Sequence, residues 1–580
     1  MSGFCGVVAP DGSVSLPVIV KERSFHTIRY REVEVAESFI SKFSNDKTLS
    51  VILDHLVCMD GVTLNSHELI NSTAATSFAE AVASRYVARE SQFLDELRGG
   101  FSGFVYDSIH SVGHLFTNHF GTKYLYYSQE PAPNGATYFS SSLLDVLDCL
   151  KDAGITPKLD KVAAYYLLTF GYMLDDRTLI EGVAKVEAGT SLKMKPGERP
   201  IKKYFYKYSN EEMVETCLDK AAQGLYEGLS LAVRAGFEKD REYGYSSVVL
   251  LSGGLDSRMN CFFAHHLGFR DVLTLTFGQS NCIDEKIAST IARDLGFEHL
   301  FHQLDGGNFL WKALRSCIAV NDGLILFAGS AHAVSTYEMI NWGKYGLLHN
   351  GNLADVSQGD YVDSNKHYAP EASVWAYSKD LLGRIGPEIE KVLARYPNQE
   401  AFAIATRGIN AVLNGSVSAQ GLTETDEPFL YPELVDFASR LPARYKNGER
   451  AFLTMIERYF PEAARYPWQK WGRLPTVANL DRGGKLYSRV FRHGHRFLEK
   501  GAARVAGKPD PADMNPFDHW MRTSPGFKRF FSDSRESVAR FAENHSELGV
   551  DALQLFDKGN VIEKTQAMTL VAAAERLGLA

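Results

Sequence analysis

The feature that most constrains the fold of this chain is a glycine-rich hexapeptide between an apolar run and a helical run. The hexapeptide Ser252-Gly253-Gly254-Leu255-Asp256-Ser257 follows Val248-Val249-Leu250-Leu251 and precedes RMNCFFAHHLG. Two adjacent glycines let the backbone approach an anion closely, and the free N–H groups at a helix start favour negative charge. Ser252 and Ser257 add hydroxyl donors, and Asp256 can hold a Mg²⁺ ion that bridges a pyrophosphate. The Walker A lysine is missing, so the pattern predicts a strand–loop–helix unit with a phosphate loop of another kind.

The runs around this hexapeptide alternate between strand and helix. Helical spacing over residues 211–237 leads to the apolar run, and DVLTLTFG is followed by the helical run IDEKIASTIARDLGF. Such alternation is typical of a parallel sheet covered by helices. Beyond about residue 370 the spacing is almost wholly helical. We therefore expect an α/β region that ends in a helical part.

The first 200 residues follow a different pattern, with many short strands and few long helices. The strand-like runs are rich in β-branched and aromatic residues: FCGVVAP, LSVIL, GFSGFVYD, HLFTN and YLYYS. Helical spacing occurs over residues 66–97 and 161–174, and a polar stretch with a Pro-Gly turn follows at 194–213. Because 580 residues are too many for one core, we predict two domains, 1–205 and 206–580, with a helical C-terminal region from about residue 487.

Composition excludes several classes of protein. The net charge is −8, and no long Lys/Arg block suggests a nucleic-acid partner. No apolar run reaches the roughly 18–20 residues of a membrane helix, and the N-terminus does not resemble a signal peptide, so we expect a cytoplasmic protein. The seven cysteines form no CxxC pair, which argues against a disulfide framework or a zinc ribbon.

The hexapeptide resembles the pyrophosphate loop of the asparagine-synthetase-like ATP pyrophosphatases, and the resemblance covers nearly the whole chain. Leu275-Thr276-Phe277-Gly278 resembles the family's adenine-side strand, and His349–Tyr361 resembles its second loop, SGEGSDE-x-x-GGY. The fold that this implies combines α/β and α+β parts, with a parallel-sheet ATP pyrophosphatase domain at the C-terminal side. The resemblance implies nucleotide contacts at Leu251, Ser252, Gly253, Gly254, Asp256, Ser257, Phe277, Gly278, Asn350 and Gly351.

The same resemblance implies a chemistry, with ATP and Mg²⁺ as its requirements. A carboxylate attacks the α-phosphate of ATP, pyrophosphate leaves, and the acyl-adenylate is then taken by an amine or ammonia. Asp256 and Asp355 would share the Mg²⁺ ion, and Lys470 in WQKWGRLP would stabilise negative charge during the reaction. The family's second-loop glutamate is replaced by Asn352, and Val356 follows Asp355 in place of an acid. The residue that takes the proton of the amine is therefore not identified by the motif.

The N-terminal part resembles the class II glutamine amidotransferase domain, an αββα N-terminal-nucleophile fold. MSGFCGVV, the stretch Asp60–Asn65 and FTNHFGTKYLYY match its motifs. In working glutaminases the nucleophile is an N-terminal cysteine, whose own α-amine acts as the base. Cys5 lies behind four residues, and Asp60 replaces the asparagine that would donate to an oxyanion. The family's RLSI arginine is also missing, since the nearest match is Thr48-Leu49-Ser50. We therefore predict a structural domain without glutaminase activity.

The leading hypothesis is an ATP-dependent, AMP-forming amide ligase that joins a small-molecule or peptide carboxylate to an amine or ammonia. It requires no nucleic acid and no membrane, and it is compatible with a homodimer. Two alternatives stay open. One is a glutamine-hydrolysing asparagine synthetase with a processed N-terminus that exposes Cys5. The other is a catalytically silent nucleotide-binding scaffold. A tRNA-modifying pyrophosphatase fits the acidic composition less well. The identity of the acid and the amine is left open.

Overall fold

The computed structural model describes residues 2–481 and 508–580, apart from residues 11, 13, 212, 360 and 362–367. Asp360 of the second loop and the predicted helical start near residue 487 lie outside the described residues. The described strands are β1 Phe4–Val8, β2 His26–Tyr30, β3 Val33–Glu37, β4 Thr48–Ile52, β5 His55–Thr63, β6 Gly99–Asp107, β7 Val112–Thr117, β8 Tyr126–Ser128, β9 Thr137–Ser140, β10 Val183–Lys185, β11 Thr190–Met194, β12 Ile201–Tyr204, β13 Ser246–Leu250, β14 Val272–Gly278, β15 Glu298–Gln303, β16 Tyr345–His349 and β17 Thr425–Asp426.

Helices cover most of the remaining described chain. They are α1 Val18–Glu22, α2 Ser66–Thr73, α3 Phe78–Arg89, α4 Leu143–Asp152, α5 Lys161–Phe170, α6 Leu218–Glu242, α7 Asp256–His266, α8 Ile283–Leu295, α9 Phe309–Asn321, α10 Ala331–Tyr337, α11 Asp355–Gln358, α12 Gly386–Leu393, α13 Gln399–Ala403, α14 Asn414–Val417, α15 Pro432–Ser439, α16 Ala443–Lys446, α17 Arg450–Tyr459, α18 Val477–Asp481, α19 Phe517–Thr523, α20 Pro525–Asn544, α21 Ser546–Lys558 and α22 Val561–Leu577. A π-helical segment, Ile404–Val412, joins α13 to α14.

Two antiparallel sheets of six strands form the centre of the N-terminal part. Their strand orders are β10-β8-β9-β1-β3-β2 and β12-β11-β7-β6-β5-β4. The facing sides of the sheets share one apolar core, in which Phe4 and Val35 meet Leu56 and Phe104. Helix α3 packs on the outer face of the second sheet, and α4 and α5 cover the outer face of the first. This is the expected αββα arrangement.

The C-terminal part is built on a parallel five-stranded sheet of order β15-β14-β13-β16-β17. Helices α6, α7, α8 and α17 share a core on one face, and α10 packs on the other. The carboxyl ends of parallel strands meet at one edge of the sheet, which is where ligands bind in open α/β folds. The prediction of an α/β region followed by helices is confirmed.

The last four helices pack back on the N-terminal part. The Tyr165 hydroxyl on α5 donates to Asp551 on α21 at 2.9 Å, and Gln566 on α22 donates to the Leu167 carbonyl at 3.3 Å. Apolar side chains of α5, α9 and α22 belong to one continuous core. None of the described helices is both long and apolar enough to span a membrane.

Two predicted helices have different limits in the structure. The helical spacing over residues 66–97 is split, because Ala74 adopts a left-handed conformation with φ of 52° and Ser77 caps a new helix by accepting from the Glu80 N–H. Helix α6 begins at Leu218 rather than at residue 211. In both cases apolar periodicity continues past a point where the backbone turns, and periodicity carries no information on the turn.

Candidate active site

The hexapeptide, named here the glycine loop (residues 252–257), turns from β13 into α7 at the carboxyl edge of the parallel sheet. Its serines bond to each other, since the Ser252 N–H donates to Ser257 Oγ at 2.9 Å. The Gly254 N–H donates to Ser252 Oγ at 3.1 Å, and the Gly253 N–H donates to Asp284 Oδ1 at 2.8 Å. Hydrogen bonds within the loop and to Asp284 therefore fix its shape.

A cavity of about 210 Å³ lies beside the glycine loop. Its walls come from the ends of three neighbouring strands, β13, β14 and β16, and from the start of α7. Seven of the residues predicted from the sequence line it: Leu251, Ser252, Asp256, Ser257, Phe277, Asn350 and Gly351. The other lining residues are Leu250, Leu275, Thr276, Asp284, Asn352 and Met514. Residues far apart in the chain thus converge on one space, as the strand order requires.

Three glycines of this region permit close packing that a side chain would prevent. A Cβ at Gly351 would lie 2.7 Å from the Asp256 Cβ and 2.9 Å from the Ser257 nitrogen. A Cβ at Gly253 would lie 2.9 Å from the Gln469 Cβ, and one at Gly278 would lie 3.1 Å from Met514. Gly351 therefore presses the second loop against the first turn of α7, so the two loops form one wall.

Asp256 and Asp355 occupy related positions at the starts of two helices. Asp256 is the first residue of α7, and Asp355 is the first residue of α11. The Asp256 carboxylate accepts a hydrogen bond from Gln358, which is the last residue of α11. Asp256 lines the cavity, whereas Asp355 is not among the residues that line it. The structure joins the two helices through Gln358.

Lys470 lies next to the glycine loop but makes an ion pair of its own. The N–H of its neighbour Gln469 donates to the Gly253 carbonyl at 3.2 Å. The Lys470 ammonium lies 2.5 Å from Glu449, a residue with φ of 62° that precedes α17. Lys470 is not among the residues that line the cavity. Its side chain is about one-third exposed, so it lies at the border between the loop and solvent.

Arg258 connects the glycine loop to the segment that carries Lys470. It is fully buried on α7, and its guanidinium donates to the carbonyls of Gly253, Ala463, Tyr466 and Pro467 at 2.7–3.1 Å. Burial lowers the pKa of Arg258 to about 10. One guanidinium thus fixes the distance between two parts of the site, a role that the fork of donors in arginine suits.

Three buried polar residues of this region were missed by sequence reasoning. Asp284 holds the Gly253 N–H, and burial raises the pKa of its carboxyl. Glu427 accepts from the Asn350 amide at 3.2 Å, and burial raises its pKa to about 7. Arg258 is the third. Asp284 and Glu427 lie in segments that match the family only as segments, and the match singles out neither residue. For Arg258 the available signal was an arginine directly after the hexapeptide, in an otherwise apolar helix.

A buried histidine lies at the end of β16, where the second loop begins. His349, the last residue of β16, lies between Asp240 and Asp426, with 2.8 Å from each ring nitrogen to a carboxylate. Burial alone would lower the pKa of His349, but the two carboxylates raise it to about 9. The residue after it is Asn350, so this triad anchors the start of the cavity wall.

Cys5, the doubtful glutaminase nucleophile, lies inside a strand. It is the second residue of β1 and pairs with Ala36 on one side and Ser140 on the other. Its side chain is 2% exposed, and its sulfur lies 4.0 Å from the sulfur of Cys149. The contact with Cys149 and burial raise the pKa of the Cys5 thiol well above its usual range. A thiolate nucleophile is therefore disfavoured here.

Asp60 belongs to a buried network of four charges. The Lys123 ammonium lies 2.6 Å from Asp60 and 3.0 Å from Glu424, and Lys47 lies 2.7 Å from Glu424 on the other side. Asp60, Lys47 and Lys123 are N-terminal, whereas Glu424 immediately precedes β17 of the parallel sheet. Burial would raise the pKa of Glu424, but the two ammonium groups lower it to about 2. The network joins the two halves of the molecule.

Comparison with known proteins finds matches to parts of this chain. Residues 54–205 match the glutamine amidotransferase domain family. Asparagine synthetase [glutamine-hydrolyzing] 1 of Bacillus subtilis is 26% identical over 227 residues, which cover 39% of this chain and 34% of that protein. The resemblance to the asparagine-synthetase-like family is confirmed. The chain spans only about a third of the length of this curated relative.

Two solved structures are also similar to parts of this chain. One is the NH3-dependent NAD synthetase of Campylobacter jejuni, with 14% identity, a TM-score of 0.19, and coverage of 33% of this chain and 93% of that chain. The other is the NMN synthetase of Francisella tularensis, with 15% identity, a TM-score of 0.18, and coverage of 41% and 97%. At these scores neither structure contributes to the argument for the site.

Proposed function

We propose that this protein is an ATP-dependent, AMP- and pyrophosphate-forming ligase that joins a carboxylate to an amine or ammonia. The observation that carries the proposal is the glycine loop at the carboxyl end of β13, which opens on a cavity of about 210 Å³. A strand–loop–helix turn with two glycines suits a phosphate chain, and a space of this size suits part of a nucleotide. The likeness to an asparagine synthetase supports the same class of reaction.

In the proposed reaction a carboxylate oxygen attacks the α-phosphorus of ATP, and the bond to the pyrophosphate oxygen breaks. The amine nitrogen then attacks the acyl carbon, AMP leaves with the electron pair of the broken bond, and the nitrogen loses a proton. The glycine loop would hold the pyrophosphate portion, while Phe277 and Gly278 would lie beside adenine. Asn350 and Gly351 would hold the α-phosphate side of the cavity. The roles of the glycine loop, Phe277 and Gly278 follow the family resemblance, and the positions of Ser252, Asp256, Ser257, Phe277, Asn350 and Gly351 around one cavity support the proposal.

The donor set beside the glycine loop fits Mg²⁺. Mg²⁺ is usually held by one or two carboxylates together with phosphate oxygens and water, and Asp256 supplies a carboxylate on the wall of the cavity. Within the described residues no group of three or more His, Cys, Asp or Glu side chains forms a metal cluster, so phosphate and water would complete the shell. Mg²⁺ held by Asp256, with Asp355 as the second proposed ligand, would neutralise charge on the departing pyrophosphate.

Lys470 is the proposed source of positive charge during acyl transfer. In the structure its ammonium is held by Glu449 and its backbone neighbour contacts the glycine loop. Arg258 fixes this segment to the loop through four carbonyl groups. For Lys470 to act on the reacting atoms, its side chain must exchange Glu449 for the substrate. Binding of a negatively charged adenylate provides the driving force for this exchange.

The test is exchange of labelled pyrophosphate into ATP across a panel of carboxylic acids, compared between the wild type and two variants. Asp256→Asn removes the charge that the cavity presents, and we expect exchange to fall by about 100-fold or more. Asp219→Asn is the matched control, because Asp219 is 78% exposed on α6. Exchange that survives in Asp256→Asn contradicts the proposal. Binding of ATP without exchange by any acid favours the silent scaffold.

We further propose that the N-terminal domain does not hydrolyse glutamine. Next to Asp60 and Lys123 the free volume is only about 20 Å³, which is room for about one water molecule and not for an amino acid. The buried Asp60 carboxylate is paired with Lys123 and cannot donate a hydrogen bond to an oxyanion. The buried thiol of Cys5 gives independent support, because glutaminase chemistry needs a thiolate.

The alternative, a glutamine-hydrolysing enzyme with a processed N-terminus, is favoured by the likeness to the glutamine-hydrolyzing asparagine synthetase of Bacillus subtilis. The test is glutamate release from glutamine by the purified protein, with Cys5→Ala as the control and mass spectrometry of the N-terminus alongside. We expect no release and an intact Phe4–Cys5 bond. Glutamate release that is lost in Cys5→Ala would establish the alternative and overturn the structural role of the domain.

A further inference from the structure

A second and larger cavity, of about 590 Å³, lies between the N-terminal part and the helices around residues 386–412. Among the described residues it shares no lining residue with the cavity of the glycine loop. Its volume falls within the range of about 300–1,000 Å³ that is typical of small-molecule sites. The space is therefore large enough for a ligand, and it is separate from the proposed reaction site.

Aromatic rings form part of the walls of this cavity, together with the acidic residues Asp175, Asp176, Glu187 and Glu211, and one side of it is open to solvent. Four tyrosines, a phenylalanine and a histidine line it: Tyr204, Tyr206, Tyr208, Tyr396, Phe120 and His119. The linker that follows β12 contributes exposed residues at the mouth, among them Lys207 and Ser209. Rings of this kind offer flat apolar surface to a ligand with an aromatic body.

Among the described residues, one buried cation lines the cavity without a carboxylate partner. Lys185, at the end of β10, is 7% exposed, and its ammonium donates to the Asn410 side-chain oxygen at 2.7 Å. The same ammonium lies 4.5 Å from the centre of the Tyr124 ring. Within the described part of the chain no carboxylate lies within 4.0 Å of the Lys185 nitrogen, whereas the buried Lys47, Lys123, Lys239 and Lys446 each have one. Buried Lys42 also lacks one among the described residues, but backbone carbonyls and the Thr423 hydroxyl surround its ammonium.

The carboxylates near Lys185 are already engaged with other cations. Three of them act on Lys185 through their charge, and each holds a different partner: Asp175 with Arg177 at 3.4 Å, Asp176 with Lys202 at 2.7 Å, and Glu187 with Arg395 at 2.8 Å. Burial lowers the pKa of Lys185 to about 8, as expected for a charge that the protein does not neutralise. A buried charge without a counter-ion is costly, and an incoming carboxylate offsets that cost.

We propose that this cavity is a binding site for a small aromatic carboxylate. The carboxylate pairs with the Lys185 ammonium, and the ring lies among the tyrosines. The proposal does not depend on the reaction at the glycine loop, because it rests on a different cavity and on different residues. It adds a second ligand, of stated chemistry, to the molecule.

The test uses saturation-transfer NMR on the full chain with two probes of the same shape, benzoate and its neutral analogue benzamide. Probe concentrations of about 5 mM suit the millimolar affinity of ligands this small. We expect the wild type to bind benzoate more tightly than benzamide. Lys185→Met should weaken benzoate at least about tenfold while benzamide changes less than about twofold. Lys203→Met is the matched control, since it removes an exposed ammonium of β12 that does not line the cavity, and it should leave benzoate binding unchanged.

A second variant keeps the test decisive if Lys185→Met fails to fold. Ala405→Trp places an indole in the cavity from the π-helical segment and should abolish binding of both probes. Thermal unfolding of each variant without ligand checks that it is folded. Three results overturn the proposal: benzoate bound equally by the wild type and Lys185→Met, benzoate and benzamide bound equally by the wild type, or no saturation transfer to benzoate.

Discussion

The surroundings of Asp256 and of Asp60 are two buried acidic regions of one molecule that differ in how their charges are balanced. Beside Asp256 the strand ends leave a cavity of about 210 Å³. Beside Asp60 the remaining space is about 20 Å³, because Lys123 fills it and pairs with both Asp60 and Glu424. The first region leaves room for an external counter-charge, and the second supplies the counter-charge from the chain itself. An acidic residue such as Asp256 or Asp60 therefore indicates a ligand site only when a cavity remains beside its carboxylate.

The largest effect that we expect comes from breaking the buried network of Asp60, Lys123, Glu424 and Lys47. Glu424→Gln leaves Lys47 without its carboxylate in a buried position, and the loss of one partner of a buried pair costs about 3–5 kcal/mol. Urea unfolding of the full chain, followed by far-ultraviolet circular dichroism, should show the change, because all six tryptophans lie between residues 311 and 520 and none lies in the N-terminal part. Glu536→Gln is the control, because Glu536 forms an exposed pair with Arg540 and should cost less than about 1 kcal/mol.

The same network has a defined dependence on pH. The pKa of Glu424 is lowered to about 2 in the folded protein, against 4.5 for the free side chain. A lowered carboxyl pKa stabilises the folded state fully above the unfolded value and loses this contribution as the pH falls towards the folded value. The stability difference between the wild type and Glu424→Gln should therefore shrink between about pH 5 and pH 2. A difference that is constant over this range would show that the ion pairs do not carry the effect.

Only part of the difference between the two regions could be predicted from the sequence. Spacing alone identified the glycine loop, since an apolar strand, two glycines and a helical run allow few other conformations. The replacement of an asparagine by Asp60 also indicated an altered site. The contact between Lys123 and Glu424 could not be found, because 301 residues separate them and no local pattern reports a pairing over such a distance.

The next prediction concerns a variant that disturbs the cavity beside Asp256. Gly351→Ala places a Cβ 2.7 Å from the Asp256 Cβ, so the second loop must move away from α7. We expect ATP to bind about 10- to 100-fold more weakly by calorimetry, since displacements of about 1 Å in a site have effects of this size. Gly383→Ala is the control, because a Cβ there meets nothing within 4 Å. Unchanged ATP affinity in Gly351→Ala would separate the cavity from nucleotide binding.

The third prediction concerns the connection between the glycine loop and Lys470. Arg258→Lys keeps the charge but loses the fork that holds four carbonyl groups. We expect about a tenfold loss in the rate of acyl transfer, with the KM for ATP changed less than about threefold. A purely structural role would lower thermal stability and both kinetic parameters together. The result that contradicts the positioning role is an unchanged rate of acyl transfer in a folded variant.

The sequence also could not reveal how Lys470 is held. Its candidacy came from a motif, and the motif does not include Glu449, which lies 21 residues earlier and pairs with it at 2.5 Å. Glu449 adopts a left-handed conformation before α17, a conformation that few residues other than glycine take without strain. Its position depends on how α17 packs, and packing of this kind is decided by the whole fold. The partner of a candidate residue is thus harder to predict than the residue.

The smallest effect is expected at Cys5, and it tests most directly whether the region around Asp60 lacks a reaction site. Cys5→Ala removes a buried sulfur from a strand whose pairing uses only the backbone, so any product formation with ammonia or an amine should change less than about twofold. Cys149→Ala is the matched control, since it removes the sulfur that lies 4.0 Å away and should behave alike. Rates are measured as AMP release with ammonia and, separately, with glutamine. A selective loss with glutamine in Cys5→Ala alone would mean that the thiol is a nucleophile. The N-terminal region would then have to adopt a second conformation in which Cys5 is accessible, and the buried network around Asp60 would belong to only one of the two conformations.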